Sequence, residues 1–350
     1  MLCPNNKQRT KFFENAGVMR FAYNWALNYQ QIHYDIGNDF LKDVELNKIL
    51  TRSKKTSPNF IWLNNFSNKI AKQAVKDACN AYIKFFKKET NFPKFKSKKK
   101  SRPSFYIDPS VIQFNATHVK MEKIVRTKKH NRQILNWVRL AEENRIPLAQ
   151  KYFNPRVTYD GLNWWISVGV EYKENTESNY QDGVGIDLGI KELAVCSDGA
   201  KYININRTSK IKAIRKSIKR KQRKISKKYN NNKKGMCYRK TNNIVKEEKR
   251  LLKLYHRLTN IHYNYIHQIT TEITRRKPRF VVMENLDLQN MTKNKRLAEK
   301  IHEQHFYEFR RQMEYKCKWN NINFILADRY YPSSKKMLLL WLYKERLKTF

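Results

Sequence analysis

Two acidic residues stand in short apolar runs of the kind that form buried strands. Asp187 lies in VGIDLG, between Gly185 and Gly189, and Glu284 ends the run FVVM. Aspartate is depleted in strands, so packing does not explain this one. If the two strands are neighbours, the carboxylates converge and repel each other unless a cation lies between them, and Mg²⁺ prefers oxygen ligands. We therefore predict that Asp187 and Glu284 are catalytic magnesium ligands of a site for phosphodiester cleavage.

The two glycines beside Asp187 have two interpretations. Missing side chains at Gly185 and Gly189 leave room for a bulky ligand to approach the backbone. Many segments of the form GxDxG are simply turns, however, and Glu284 is what favours the catalytic interpretation.

The elements around the two acids follow a definite order. We predict three strands, two long helices, a fourth strand, a helix and a last strand. The three strands are 184–188, 192–196 and 201–205. The two helices are 207–228 and a second one with an apolar stripe from Leu251 to Ile273. The fourth strand is RFVVMENL, the next helix is Lys295–Trp319 and the last strand is NFILAD. Three antiparallel strands, a helical crossover and two further strands predict an RNase H-like α/β domain at 181–350.

The rest of the chain divides by its periodicity. Apolar residues recur at steps of three and four from Phe12 to Ala26 and from Ile70 to Phe85, with Ser67 placed to cap the second helix, so 1–90 is predicted to be helical. Residues 91–180 are predicted to be mainly β, and Trp164, Ile166, Val168 and Val170 alternate onto one face. The predicted fold class is therefore α+β with several domains.

The composition indicates the kind of partner. Lysine and arginine number 73 against 30 acids, which gives a formal net charge of +43. The positive side chains repel each other in the folded protein unless a polyanion offsets their charge. Nucleic acid is the expected partner, although a ribosome-like or merely soluble basic protein has the same composition. The five cysteines form no CxxC pair, and no membrane span or signal peptide is present, so we expect a cytoplasmic protein without a membrane partner.

Two basic segments are candidate nucleic-acid interfaces. The linker PKFKSKKKSRPSF combines Phe95 and Phe105 with cations, and the helix at 207–228 has twelve lysines and arginines without an acid. Each has the alternative of being a solvated surface. The candidate contacts are Lys94, Lys96, Lys98, Lys99, Lys100 and Arg102 in the linker, and Arg215, Lys219, Arg220 and Arg223 in the helix.

The motifs together resemble the TnpB (OrfB) family of transposon-encoded RNA-guided DNA endonucleases. The resemblance rests on RFAYNWAL, FPKFKSKKKSRPSF, GIDLGIKELAVCSDG, FVVMENLDLQNM and ADRYYPSSK, in family order. It implies that Asp187 and Glu284 are the first two acids of a RuvC-type nuclease, that 1–90 is a recognition lobe and that 91–180 is a wedge domain. It also implies a guide RNA from the transposon end, a double-stranded DNA target, and magnesium.

The C-terminal segment departs from the family pattern. The family continues after YYPSSK with two CxxC pairs of a zinc ribbon and a third catalytic aspartate, whereas this chain reads KMLLLW from Lys336 and contains neither. Asp328 is too early to replace the missing acid, and the ligands of the family's zinc are absent. Read one base later, Met337 becomes cysteine and Trp341 becomes glycine, so we expect that a frameshift truncated the C-terminus. Tyr331, Ser333, Ser334 and Lys335 are predicted either to bind nucleic acid or to brace the missing ribbon.

The N-terminus also departs from the family pattern, since only Met1–Cys3 precede the family's proline at Pro4. We therefore expect the first wedge strand to be mostly missing and an unpaired edge to be exposed.

Three functions remain open from the sequence. The first is an RNA-guided endonuclease with impaired cleavage, because removing one ligand weakens the whole metal site. The second is a nuclease-dead RNA-guided DNA-binding protein, or the product of a decayed pseudogene. The third is a DNA transposase, which would use the same metal chemistry.

Overall fold

The fold comes from a computed structural model that describes residues 1–122, 136–148, 151–171, 182–235 and 237–327. These residues form two compact units, Met1–Tyr172 and Lys173–Phe350, called here the N-terminal and C-terminal units. Each has its own hydrophobic core. Within the described ranges, no helix is long and apolar enough to cross a membrane.

Four helices form the first part of the N-terminal unit. They are α1 (Asn6–Asp35), α2 (Asp43–Thr56), α3 (Pro58–Ile61) and α4 (Asn68–Phe86). The predicted helical faces are confirmed, since Phe12, Ala26, Ile70 and Ala78 are buried. Ser67 caps α4 as predicted, by accepting a hydrogen bond from the backbone N–H of Lys69 at 3.3 Å.

A seven-stranded antiparallel sheet completes this unit and shares its core with α1 and α4. Its strands are β1 (Leu2–Cys3), β2 (Ser104–Tyr106), β3 (Gln113–Phe114), β4 (His118–Lys120), β5 (Trp137–Leu140), β6 (Phe153–Tyr159) and β7 (Trp164–Gly169). The order is β2-β6-β7-β1-β5-β4-β3, so the two-residue strand β1 lies inside the sheet. Leu2 pairs with Leu140 on one side and with Trp164 on the other.

The predicted alternation along β7 is only partly correct. Trp164 is buried, and Ile166 and Val168 pack against the core. Val170 is exposed because the strand ends at Gly169, one residue earlier.

The C-terminal unit is built on a five-stranded mixed sheet. Its strands are β8 (Val184–Leu188), β9 (Glu192–Cys196), β10 (Lys201–Ile203), β13 (Phe280–Glu284) and β14 (Asn323–Ala327), in the order β10-β9-β8-β13-β14. β8, β9 and β10 are antiparallel, whereas β13 is parallel to both β8 and β14. The predicted strand sequence is thus confirmed, and it places β8 and β13 side by side.

Helices connect and cover this sheet. α5 (Ser209–Asn231) and α6 (Asn242–Arg275) form the crossover, with the small hairpin β11 (Lys233–Lys234) and β12 (Cys237–Tyr238) between them. The apolar stripe predicted on α6 packs into the core only toward its end, because Ile269 and Ile273 are buried while Leu251 and Leu254 are half-buried.

A short helix, α7 (Leu288–Met291), follows β13, and the single helix predicted at 295–319 is wrong. The structure has α8 (Lys295–Gln304) and α9 (Phe306–Trp319), separated by His305. His305 adopts a left-handed backbone conformation with φ 54°, which ends one helix and redirects the chain into the next. The apolar periodicity continues across this break, so the sequence gives no sign of it.

Candidate metal centre and nucleic-acid interface

Asp187 and Glu284 lie at the carboxyl ends of adjacent parallel strands. β8 and β13 pair through Val184 with Val281 and Ile186 with Met283, and the next step of this register places Asp187 beside Glu284. Asp187 is exposed and Glu284 is half-buried, while the neighbouring apolar side chains point into the core. The alternation of a strand thus directs both carboxylates away from the core and toward the same end of the sheet.

The two carboxylates interact electrostatically. Burial raises the pKa of Glu284, and the negative charge of Asp187 raises it further. Both effects disfavour the ionised form of Glu284, which is what two carboxylates show when no cation compensates them. A bound cation would oppose both effects, because it favours the ionised carboxylates, so this donor set of carboxylate oxygens fits Mg²⁺.

The glycines beside Asp187 do not provide an open approach to the backbone. Gly185 is buried, and its N–H donates to Ser197 Oγ at 2.9 Å while its carbonyl accepts from the Ser197 N–H at 2.8 Å. A Cβ at Gly189 would lie 3.1 Å from the carbonyl oxygen of Glu192, so this glycine permits the tight turn between β8 and β9. The interpretation of Gly185 as room for a ligand is therefore wrong, because this glycine is buried and bonded to Ser197, and Gly189 has the turn as its explanation.

Within the described part of the chain, no group of three or more His, Cys, Asp or Glu side chains could hold a metal ion. Among these described residues, Asp187 and Glu284 therefore form a pair. Asp328, Tyr331, Ser333, Ser334 and Lys335 lie outside the described residues.

Buried amides that the sequence did not indicate hold the turn that follows Asp187. Asn204 Nδ2 and Gln304 Nε2 donate to the carbonyl of Ile190, at 2.7 and 3.3 Å. Both amide side chains are almost fully buried. At the end of β13, the residue after Glu284 is Asn285, and its Oδ1 accepts a hydrogen bond from Arg310 Nη1 at 3.1 Å. Isolated Asn, Gln and Arg residues leave no periodic signal in a sequence, so only the fold reveals these contacts.

The linker cations differ in their surroundings. Lys94, Lys98, Lys99, Lys100 and Arg102 are exposed.

Lys96 is the exception, because its ammonium lies 3.7 Å from the centroid of the Tyr23 ring, and burial lowers its pKa. Its backbone N–H and carbonyl both bond to the Asn24 side chain, at 2.8 Å each. Lys96 therefore anchors the linker to α1, which the sequence did not indicate.

The two aromatic residues assigned to the linker interface also separate. Phe95 is exposed, as expected for a ring available to a base. Phe105 is buried on β2, where its ring packs 5.3 Å from that of Phe12, so its assignment to a nucleic-acid groove is wrong. Phe92, which the sequence interpretation omitted, is exposed beside Phe95 in the chain.

The basic helix α5 likewise has an inner and an outer face. Lys219, Arg220 and Arg223 are exposed. Arg215 is half-buried, pairs with Glu303, and donates to Asn206 Oδ1 at 2.8 Å.

The comparisons with known proteins agree with this architecture. A family model described as "Probable transposase" (OrfB) matches residues 166–295. Two further models match residues 1–38, "Helix-turn-helix domain" of OrfB, and 306–338, "Cas12f1-like, TNB domain". The three matches together cover more than half of the chain.

Curated relatives extend the likeness over nearly the whole sequence. A Streptomyces pristinaespiralis protein titled "Putative RNA-guided DNA endonuclease" is 27% identical over 95% of this chain and 77% of its own length. An Escherichia coli K12 protein titled "Putative RNA-guided DNA endonuclease InsQ" is 25% identical over 95% of this chain and 80% of its own length. The chain belongs to the TnpB (OrfB) family.

A solved structure supports the fold of this TnpB-family chain. It is titled "Cryo-EM structure of the Cas12f1-sgRNA-target DNA complex", and the likeness has a TM-score of 0.53 at 14% identity, over 91% of this chain and 72% of that one. One detail differs from the name of a family model, because Asn6–Asp35 form a single helix within the region matched as helix-turn-helix.

Proposed function

We propose that this TnpB-family protein binds a guide RNA and uses it to recognise double-stranded DNA, with Asp187 and Glu284 as the magnesium ligands of a RuvC-type site. The observation that carries the proposal is the placement of these two carboxylates on β8 and β13 in a protein with a net charge of +43. The titles of the curated relatives and of the Cas12f1 structure support the RNA and DNA partners.

The roles of the residues follow from their positions. Asp187 and Glu284 would hold the metal from adjacent strands, and the buried amides of Asn204 and Gln304 hold the turn after Asp187 in place. Magnesium, when bound, activates water and stabilises the leaving oxygen in phosphodiester cleavage. The exposed cations of the linker and of α5 would neutralise nucleic-acid phosphates.

We further propose that DNA binding exceeds cleavage in this chain. Among the described residues only two carboxylates converge, which is fewer charged ligands than a pair of metal ions needs, and a site with fewer ligands binds metal more weakly. This leaves two forms of the proposal, an endonuclease with weak cleavage and a binding protein without cleavage. Strand transfer by a transposase is supported only by the description of the matched family model.

The experiment is reconstitution of the 350-residue chain with the RNA transcribed from the DNA that flanks its gene. The complex is expected to bind duplex DNA that matches the RNA at least tenfold more tightly than mismatched duplex. Asp187→Ala is expected to leave this binding unchanged and to remove any magnesium-dependent cleavage. Equal affinity for matched and mismatched duplex would overturn the proposed function.

A further inference from the structure

The N-terminal unit contains a basic groove that lies outside both candidate nucleic-acid segments. The groove, of about 520 Å³, runs between α2 and α4. It is lined by Val44, Asn47, Lys48, Thr51, Arg52 and Lys55 from α2 and by Lys72 from α4. This α2–α4 groove therefore presents four cations, and no carboxylate is among its lining residues.

The four cations of the groove are exposed, and they make no ion pair with any residue that the structure describes. Neighbouring lysines on the same two helices behave differently. Lys54 donates to Asn68 Oδ1 at 3.0 Å, and Lys69 pairs with Asp108 at 3.0 Å. Lys54 and Lys69, beside the groove, thus have partners, whereas the four cations of the groove have no ion-pair partner among the described residues.

Helix electrostatics explain only part of this arrangement. A cation in the last turn of a helix is favourable, which accounts for Lys55. Lys48 lies in the middle of α2, and Lys72 lies in the second turn of α4, near the end where the helix dipole disfavours positive charge. Like charges gathered in one groove repel each other, and a polyanion bound there removes the repulsion.

Asn47 adds a hydrogen-bond acceptor that has no partner in the described part of the chain, and a phosphate group has no donor to offer it. Its Oδ1 is buried and has no hydrogen-bond partner within the described residues, an arrangement that destabilises the free protein. Turning the side chain toward the groove would let this oxygen accept a hydrogen bond. Phosphates carry no donor, and deoxyribose lacks the 2′-hydroxyl, which in RNA is both a donor and an acceptor.

We propose that the α2–α4 groove binds the backbone of an RNA strand, with Lys48, Arg52 and Lys55 on successive phosphates and Asn47 on a ribose 2′-hydroxyl. Lys48 to Lys55 spans about 10 Å along the helix, at 1.5 Å per residue, which matches a short run of nucleotides. The inference rests on the proposed function, in which RNA is the permanent partner, and it assigns a site for that RNA.

The test measures binding of the full-length chain to a fluorescein-labelled single-stranded RNA of 12 nucleotides, by fluorescence anisotropy over a range of salt concentrations. Lys48→Gln/Arg52→Gln is expected to weaken binding about tenfold and to reduce the salt slope by about 1.4, since each lost phosphate contact removes about 0.7. The matched control is Lys76→Gln/Lys84→Gln, which removes two exposed α4 cations outside the groove and is expected to leave the slope unchanged.

The ribose contact is tested on the ligand as well as on the protein. The wild-type chain is expected to prefer this RNA about fivefold over both its 2′-O-methyl form and DNA of the same sequence. Asn47→Ala is expected to abolish the preference, and the 2′-O-methyl probe gives the same information without any risk to folding. Thermal melts of all variants check that they remain folded.

Two results would overturn the inference. If the groove variant binds with the affinity and salt slope of its control, the groove is a solvated surface. If the groove variant loses affinity equally for RNA, 2′-O-methyl RNA and DNA, and Asn47→Ala does not change the relative affinity for the three probes, the assignment to RNA is wrong. These measurements use neither target DNA nor Mg²⁺, so a failure of guided DNA recognition would overturn the proposed function without altering them.

Discussion

Glu284 lies beside Asp187 on the neighbouring parallel strand, and its pKa is raised by burial first and then by the negative charge of Asp187. A carboxyl group whose pKa is raised by folding stabilises the protein at low pH, and this contribution is lost as the pH rises through its folded pKa. At neutral pH the pair is therefore a source of repulsion that a cation would relieve.

We predict that Glu284→Gln raises the melting temperature of the metal-free protein at pH 7 by about 1–3 °C, because it removes this repulsion. Mg²⁺ is expected to raise the melting temperature of the wild type, since it binds the folded state, but not that of Glu284→Gln or Asp187→Asn. Glu314→Gln, an exposed change on α9, serves as the control. A Mg²⁺ shift that persists in both site variants would exclude these residues as the ligands.

Glu247 is predicted to hold α5 against α6. It lies 2.7 Å from Lys221, 2.8 Å from Arg250 and 3.5 Å from Lys224, and its hydrogen bond with Lys221 is the main cause that lowers its pKa to about 2. A lowered acidic pKa contributes stability above the unfolded value of 4.5, and this is lost as the pH falls toward 2.

Glu247→Gln should therefore lower the melting temperature at pH 7 by about 2–4 °C and flatten its dependence on pH between 4.5 and 2. Circular dichroism melts measure both effects, with Glu314→Gln again as the matched neutralisation. An unchanged acid limb in Glu247→Gln would show that the cluster does not hold the two helices together.

Lys316 is a buried cation that has no acidic partner among the residues that the structure describes. Its ammonium donates to His267 O, Thr270 Oγ1 and Thr271 Oγ1, at 3.0, 2.5 and 2.8 Å, and burial lowers its pKa to about 8. The unfolded chain binds this proton up to about pH 10.5, so stability is expected to rise as the pH increases from 8 to 10.5. The shift corresponds to ~3 kcal/mol of disfavoured charge.

Lys316→Met is expected to abolish this rise and to stabilise the protein at pH 7 by about 1 kcal/mol. The gain is smaller than the full shift because three acceptors lose a donor. Urea unfolding at pH 7 and pH 10 provides the measurement. Lys318→Met, at an exposed position on the same helix, controls for the added methionine. The same slope in Lys316→Met and in the wild type would refute the prediction.

Lys96 is expected to contribute to folding, unlike its neighbours in the linker. Its ammonium on the Tyr23 ring is worth about 1–2 kcal/mol in a partly buried site, so Lys96→Ala should lower the melting temperature by about 2–4 °C. Lys98→Ala, at an exposed position, should leave it unchanged and act only on nucleic-acid affinity. Equal melting temperatures for the two variants would contradict the anchoring role.

Much of the C-terminal unit was predictable because the strands of its sheet are recognisable from short local sequence patterns. β8, β9, β13 and β14 are short apolar runs bounded by polar residues, and all four form where the sequence predicted them, in a sheet whose order is β10-β9-β8-β13-β14. The break at His305 was not predictable, since one left-handed residue leaves the apolar periodicity intact. From the sequence, the first strand is expected to be mostly missing and its edge unpaired, whereas the short β1 lies inside the sheet and Leu2 pairs on both sides.

The sequence by itself determined the basic character of the protein, its family motifs and the identity of the two acids, because these depend on residue types and their order. Tertiary structure alone decided which charges are available. It buried Lys316, packed Lys96 on Tyr23, paired Arg215 with Glu303 and left the four cations of the α2–α4 groove uncompensated. The reason is physical: a charge is stabilised or exposed by what surrounds it in space, and residues distant in the chain form those surroundings.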